Sequence, residues 1–206
     1  MLLAIDTSAG TSVAIVDRDL GILAELGSDD TRRHAEVIGE LISACFDVAG
    51  IPVSQLSGVV SGMGPGPFTG LRVGIAAARA FAFGAGKPVI SVVSHDAIAY
   101  GEAGAVLVIT DARRNELAWS AYSGADAAGL PVRDAGPALA KASELDHSVP
   151  DFERYRIIEA RTVSAGALGL LAETLYANAR RFASTEPLYL RSPDVTLAAA
   201  PKRVTG

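Results

Sequence analysis

Asp6, Thr7 and Ser8 follow a short apolar run, Leu2 to Ile5, and apolar residues resume at Val13. An acid, hydroxyls and the nearby Gly10, set between two strands, can aim backbone N–H groups at a phosphate while the carboxylate holds a metal ion. The same residue types also make an ordinary turn. A second candidate is the run Ser61-Gly62-Met63-Gly64-Pro65-Gly66-Pro67-Phe68-Thr69-Gly70-Leu71-Arg72-Val73-Gly74. It joins a buried strand to a helix N-terminus, where anions bind readily. No Gly-Lys-Ser/Thr follows, so it is not a P-loop, and the last glycine of a dinucleotide fingerprint is missing from Gly62 or Gly64. Its alternating glycines and prolines set a stiff backbone path. Asp6, Thr7, Ser8, Gly64 and Gly66 are therefore the candidate, and at most vestigial, nucleotide-binding residues.

A third candidate is Asp111-Ala112-Arg113-Arg114-Asn115-Glu116. Sliding the chain by 104 positions places Leu3-Ala4-Ile5 on Leu107-Val108-Ile109, and Val13 and Ala14 on Leu117 and Ala118. Where the first hairpin has Ala9-Gly10, this copy has Arg113-Arg114. Bulky side chains obstruct the close backbone approach a phosphate needs. The arginines form either a solvated turn or a grip for a carboxylate or phosphate on a partner.

Metal chemistry has little to work with: the chain holds three histidines and one cysteine. His95 lacks a second ligand one helical turn on, because position 99 is Ala99. His34 opens a helix, and His147 lies in a polar loop. Cys45 falls on an apolar helix stripe and reads as a packed thiol. A single cysteine excludes an internal disulfide. Neither a metal nor a cofactor is expected.

These residues need a frame. Leu2 to Leu26 reads as a three-stranded antiparallel meander. A helix follows, capped by Asp30 or Thr31 and ended by Gly50. Val37, Leu41, Ala44 and Val48 line one of its stripes, and Ile38, Ile42, Cys45 and Ala49 a neighbouring one. Ser57 to Ser61 is a buried strand, Pro67 to Gly84 a second helix, Val89 to Val93 a strand, and Ser94 caps a short helix to Tyr100. In the second half, Pro137 to Leu145 reads as helix, Arg156 to Ile158 as strand, and Ser164 to Arg181 as helix. The long period suits two related subdomains flanking a cleft, over residues 1–100 and 101–191, with the second reduced. Residues 192–206 read as a loose tail.

The second helix is apolar on nearly every side; Arg72 and Arg79, two turns apart, are its only charges. Such a helix must be buried nearly all round, inside its own chain or against another protein. In 206 residues there is little interior to hold it, which favours the second choice.

Half the residues are hydrophobic and a fifth are charged, so a packed core is expected and disorder is not. The formal net charge of −5 argues against independent nucleic-acid binding. Met1 to Ser8 has no basic n-region, and the longest apolar stretch, Val73 to Gly86, is shorter than the roughly 20 residues a membrane helix needs. A cytoplasmic protein is expected.

Leu3-Ala4-Ile5-Asp6-Thr7-Ser8, the run from Gly64 to Gly74, Asp111-Ala112-Arg113-Arg114 and the stretch Pro187-Leu188-Tyr189-Leu190-Arg191 together resemble the bacterial TsaB (YeaZ) family over nearly the whole chain. The resemblance implies an α/β fold of the actin/sugar-kinase/Hsp70-like (ASKHA) type. It also implies a non-catalytic subunit that works with the catalytic paralogue TsaD and the ATPase TsaE. Together these place threonylcarbamoyl on an adenosine beside the anticodon of tRNA. The paralogue carries two metal-binding histidines in H-x-x-x-H spacing; here His95 matches the first and Ala99 replaces the second. His95 also departs from the small polar residue usual in TsaB and is read as incidental. A small-molecule kinase of the same fold and a metal-dependent glycoprotease-like hydrolase are the alternatives; Arg113-Arg114 speaks against the first and Ala99 against the second.

The resemblance further implies docking on TsaD through the two N-terminal helices. Val37, Leu41, Ile42, Arg72, Ile75, Arg79 and Phe83 are the expected interface, with Arg72 and Arg79 at its rim. The chain would meet tRNA only through the complex, have no membrane contact, and pair with a second copy of itself when isolated.

Overall fold

The computed structural model describes residues 1–191. Its elements are β1 (Leu2–Asp6), β2 (Thr11–Asp17), β3 (Gly21–Ser28), α1 (His34–Ala49), β4 (Gly58–Gly62), α2 (Phe68–Ala85), β5 (Val89–Val92), α3 (Ser94–Ala99), β6 (Val106–Asp111), β7 (Glu116–Ala125), β8 (Pro131–Lys141), α4 (Leu145–Ser148), β9 (Arg156–Glu159) and α5 (Ala165–Ala177). They build two sheets, ordered β3-β2-β1-β4-β5 and β8-β7-β6-β9. In each sheet three antiparallel strands are followed by a parallel partner, β4 on β1 and β9 on β6. The second sheet repeats the order of the first without its fifth strand, an ASKHA-like architecture. The expected tail, 192–206, lies outside the described residues.

Side chains alternate across the first sheet, as a strand's two-residue period requires. Leu3, Ile5, Val13, Ile15 and Val59 face α1 and α2, joined by Ile38, Cys45, Ala78 and Ala82. Leu2, Ala4, Ala14 and Val16 face the other way, onto Leu168, Leu171 and Ala172 of α5 and Ala97 of α3. In the second sheet Leu107, Ile109 and Trp119 pack on Leu145 and Val149, while Val106, Val108 and Tyr122 meet Ala99 of α3. Helix α3 thus lies between the sheets.

Helix boundaries follow local chemistry. Gly50 and Gly86 end α1 and α2 in the left-handed conformation, where a residue without Cβ is favoured. The Ser164 hydroxyl caps α5 by accepting from the Ala167 amide. Glu25 of β3 also reaches this helix start, accepting from Ser164 Oγ and the Gly166 amide, so a carboxylate sits at the positive end of the helix dipole.

Three expectations fail. Helix α1 begins at His34 with Arg33 as N-cap and no side-chain cap, not at Asp30 or Thr31. Pro137 to Lys141 belongs to strand β8, paired along β7, and only Leu145 to Ser148 is α-helical. Ladder pairing has overridden the helical spacing of an Ala-rich run. The repeat also slips at its second strand. Ile5 pairs with Val13, but Ile109 pairs with Trp119, so Trp119, not Leu117, answers to Val13. The second hairpin is two residues longer.

Candidate functional site

The first hairpin is locked by its own side chains. Asp6 is 1% exposed. Its Oδ1 accepts from the Ser8 amide at 2.8 Å and the Ser8 hydroxyl at 2.6 Å, and Ser94 Oγ donates to its Oδ2 at 2.5 Å. Burial pushes the Asp6 carboxyl above the usual range, and the hydrogen bonds from Ser8 and Ser94 pull it back. Ser94, expected to cap α3, instead serves this carboxylate; Val93 is the N-cap.

Thr7 is inserted into α2. Its hydroxyl donates to the Gly70 carbonyl at 2.7 Å and accepts from the Gly74 amide at 3.0 Å, two groups that pair with each other in an uninterrupted helix. This requires Gly74 to be bare: a Cβ there would overlap the Thr7 hydroxyl. Gly66 lies as closely on Ser8, where an added Cβ would sit 2.6 Å from the Ser8 carbonyl oxygen. Gly64 exchanges two hydrogen bonds with Ser94, donating to its hydroxyl at 3.0 Å and accepting from its amide at 2.8 Å.

Asp6, Thr7, Ser8, Gly64 and Gly66 therefore do come together, as the sequence suggested, but as an interlock. The Ser8 amide and the Thr7 and Ser8 hydroxyls are engaged within the chain, and the glycine–proline run lies on the hairpin where a cradle would have to be open. Gly66, Gly70 and Gly74 are explained by close approach to Thr7 and Ser8, and Gly64 by its left-handed φ of 87°.

The second hairpin has a different geometry. Arg113, Arg114 and Asn115 have φ of 66°, 57° and 59°, three successive left-handed residues with side chains. Each costs on the order of 1–2 kcal/mol. The Asp111 carboxylate accepts from the Arg113 amide at 2.9 Å, and the Ala112 amide donates to the Glu116 carbonyl at 2.9 Å, closing the turn. Arg113 reaches across to Thr31, donating from Nη2 at 2.5 Å. Between this hairpin and the start of α2 lies a cavity of about 420 Å3 lined by Phe68, Arg72, Arg114, Tyr189 and Arg191 among others. Phe68 and Tyr189 stack with centroids 3.9 Å apart, the Arg72 guanidinium lies over Phe68, and Arg191 pairs with Glu116.

His95 is wholly buried. Its Nδ1 lies 2.8 Å from Ser120 Oγ and its Nε2 2.9 Å from Thr110 Oγ1, so both ring nitrogens are engaged by the second sheet. Burial, with a smaller push from Arg133, lowers its pKa to about 3 and keeps the ring neutral. The expectation that His95 is incidental missed this role as a pin between α3 and β6–β7. Among the described residues, no group of three or more His, Cys, Asp or Glu side chains is placed to hold a metal ion, and no helix is long and apolar enough to cross a membrane. Cys45 is buried with its thiol pushed up to about 11, chiefly by desolvation, which fits packing rather than nucleophilic chemistry.

On the expected partner face, the α1 residues Val37, Leu41 and Ile42 are half-buried, and Val48 is 64% exposed. On α2, Phe83 is 90% exposed and Ala76 and Ala80 are exposed beside it. Ile75 is a correction: it is 4% exposed and packs with Met63, Leu71 and Tyr189. A C-terminal strap covers that flank of α2. The Ala183 amide donates to the Ser91 carbonyl and the Leu188 amide to the Met63 carbonyl. Arg79 donates to the Thr185 carbonyl at 2.7 Å, and Arg72 to the Tyr189 hydroxyl at 3.2 Å. Both arginines are exposed yet tied to this strap. Its docking on α2 was not foreseen, because an irregular segment carries no hydrophobic period.

A family model described as TsaD, tRNA N6-adenosine threonylcarbamoyltransferase, matches residues 21–147. The chain belongs to the TsaD-related family that includes TsaB and YeaZ. A protein of Mycobacterium tuberculosis (strain H37Rv) is 40% identical over 205 residues, covering 94% of this chain and 92% of that one. The tRNA threonylcarbamoyladenosine biosynthesis protein TsaB of Haemophilus influenzae is 36% identical over 125 residues, 58% of this chain and 52% of that protein. A solved Pseudomonas aeruginosa protein, described as similar to peptidase YEAZ, superposes with a TM-score of 0.73 at 26% identity, covering 92% of this chain and 99% of that one.

Proposed function

We propose that this chain is a non-catalytic subunit in tRNA threonylcarbamoyladenosine biosynthesis, docking on a TsaD-type paralogue and working with the ATPase TsaE in the cytoplasm. Relatives named for this pathway support the role. The interlocked first hairpin and the single histidine at 95 support the absence of chemistry of its own. The observation that carries the docking is the apolar outer side of α1 and α2, where Phe83 and Val48 stand in solvent beside exposed Ala76 and Ala80. Small residues there allow close helix approach, so a matching helix pair on a paralogue of the same fold would complete a four-helix bundle. A second copy of this chain can use the same face, which makes a homodimer the expected state in isolation. Contact with tRNA is then made through the complex, in keeping with the acidic net charge.

The test is co-purification of this chain with its host's TsaD, followed by tRNA modification in the reconstituted set with and without the chain. Stable association and dependence of modification on the chain are expected. Full modification without it, or modification by the chain alone, overturns the reading.

A further inference from the structure

The side of the first sheet that α5 covers, away from α1 and α2, carries a cavity of its own, of about 420 Å3. Its walls are the turn between β2 and β3, Tyr100 at the end of α3, and the outer side of α5 at Leu170, Glu173 and Thr174.

Both walls are fixed by their own hydrogen bonds. In the turn, Asp17 Oδ1 accepts from the Asp19 amide at 3.0 Å and the Leu20 amide at 3.2 Å, and Gly21 completes it with a φ of 79°. Opposite, the Thr174 hydroxyl donates to the Leu170 carbonyl at 2.9 Å. Its single proton is thereby committed, so across the 2.8 Å between the two hydroxyls it is Tyr100 that donates. The Tyr100 oxygen keeps its lone pairs for another donor.

The charges around this cavity are unpaired. The turn brings the Arg18 guanidinium and the Asp19 carboxylate, and α5 brings the half-buried Glu173. Among the described residues none of these three side chains makes a hydrogen bond or an ion pair. Groups of opposite sign thus line one space without reaching each other, whereas Arg156 pairs with Glu102 and Arg180 with Asp126. Leu20, 69% exposed, and Leu170 supply apolar surface beside them.

We propose that this cavity binds a free α-amino acid with an apolar side chain, in its zwitterionic form. The ammonium group donates to Glu173 and to the Tyr100 oxygen, the carboxylate accepts from the Arg18 guanidinium, and the side chain lies on Leu20 and Leu170. With Asp19 the lining holds more carboxylates than cations, so an anion alone is repelled and the ammonium group is the required part. The site is on the opposite face from the docking helices and is independent of that reading.

The experiment is NMR titration of the full, isotope-labelled chain with leucine, following the amide resonances of Leu20, Gly21 and Thr174. Leucinamide, which lacks the carboxylate, and N-acetyl-leucine, which lacks the ammonium group, are titrated beside it. Millimolar leucine is expected to move these resonances and to leave those of the second hairpin in place. Arg18→Ala and Glu173→Gln should each weaken leucine binding by about tenfold, the loss of one charge-assisted contact. Leucinamide should bind more weakly than leucine and be indifferent to Arg18→Ala, and N-acetyl-leucine should not bind. Thermal melts identify a variant that fails to fold; Arg18 is exposed on a turn, so its variant decides if Glu173→Gln is unstable. Resonances unmoved by leucine, leucine binding untouched by Arg18→Ala, or equal binding of leucinamide or of N-acetyl-leucine would each overturn the proposal.

Discussion

Nε2 of His95 lies 2.9 Å from the hydroxyl of Thr110, and Thr110 holds in the second sheet the place that Asp6 holds in the first, one residue beyond Ile109 as Asp6 is beyond Ile5. The two copies thus end their first strands on different polar partners: Asp6 is bound by Ser94, and Thr110 by the next residue, His95. Two adjacent residues of α3 thereby fasten the equivalent ends of both sheets.

This pin makes stability sensitive to acid. The pKa of His95 is about 3 in the folded chain against 6.5 for the ordinary group, so the unfolded chain binds the proton more readily. Its contribution is fully present above about pH 6.5 and is lost as pH falls toward 3. Between pH 6.5 and 5 that amounts to about 1–2 kcal/mol. Asp6 and Asp96 are shifted upward and act in the opposite sense, so the comparison must be differential. The gap in urea midpoints between the native chain and His95→Gln should narrow on acidification; a constant gap contradicts the assignment.

Two glycine substitutions should move stability in opposite directions. Gly74→Ala drives a methyl into the Thr7 hydroxyl and should cost about 1–3 kcal/mol. Gly39→Ala, exposed in α1 with nothing near the new methyl, should stabilise by about 0.5–1 kcal/mol. Thermal unfolding of the pair checks both.

Glutamate scanning of α2 separates face from interior. Phe83→Glu should leave folding unchanged, because the ring is already in water, and should abolish association with TsaD or with a second copy. Ile75→Glu should unfold the chain, placing a charge among Met63, Leu71 and Tyr189, at a cost of several kcal/mol. Circular dichroism and size-exclusion chromatography of the two variants give the answer. A folded Phe83→Glu protein with unaltered association would place the partner elsewhere.

Changing His95→Ala should leave tRNA modification by the reconstituted complex nearly intact once expression is matched, since both its ring nitrogens are engaged within the chain, by Thr110 and Ser120. Loss of activity at full folding and association would give this side chain a part in the chemistry.

Much of the frame was legible because it is local. Gly50 closes α1, Ser164 opens α5, and the repeat placed β6 on β1 from Leu107 to Ile109. The failures at Pro137 to Lys141 and at Ile75 were cases where distant chain decided. Pro137 to Lys141 has the spacing of a helix but pairs with β7. Ile75 looked available because the strap that hides it comes more than 100 residues later. At the hairpin, composition identified Asp6, Thr7 and Ser8 as a unit. It could not show whether the glycines after β4 left them open or closed over them, since both outcomes need the same small residues.

The face of the first sheet carrying Leu2, Ala4, Ala14 and Val16 is covered by Leu168, Leu171 and Ala172, from the far end of the chain. At translation rates of about 5–20 residues per second, a nascent molecule waits on the order of 10 s between making that sheet and making the helix that shields it. Throughout that interval the growing polypeptide presents a largely uncovered apolar surface to solvent. A premature stop anywhere before α5 leaves it bare for good. Truncated products therefore become clients for chaperones and proteases rather than half-sized versions of the protein.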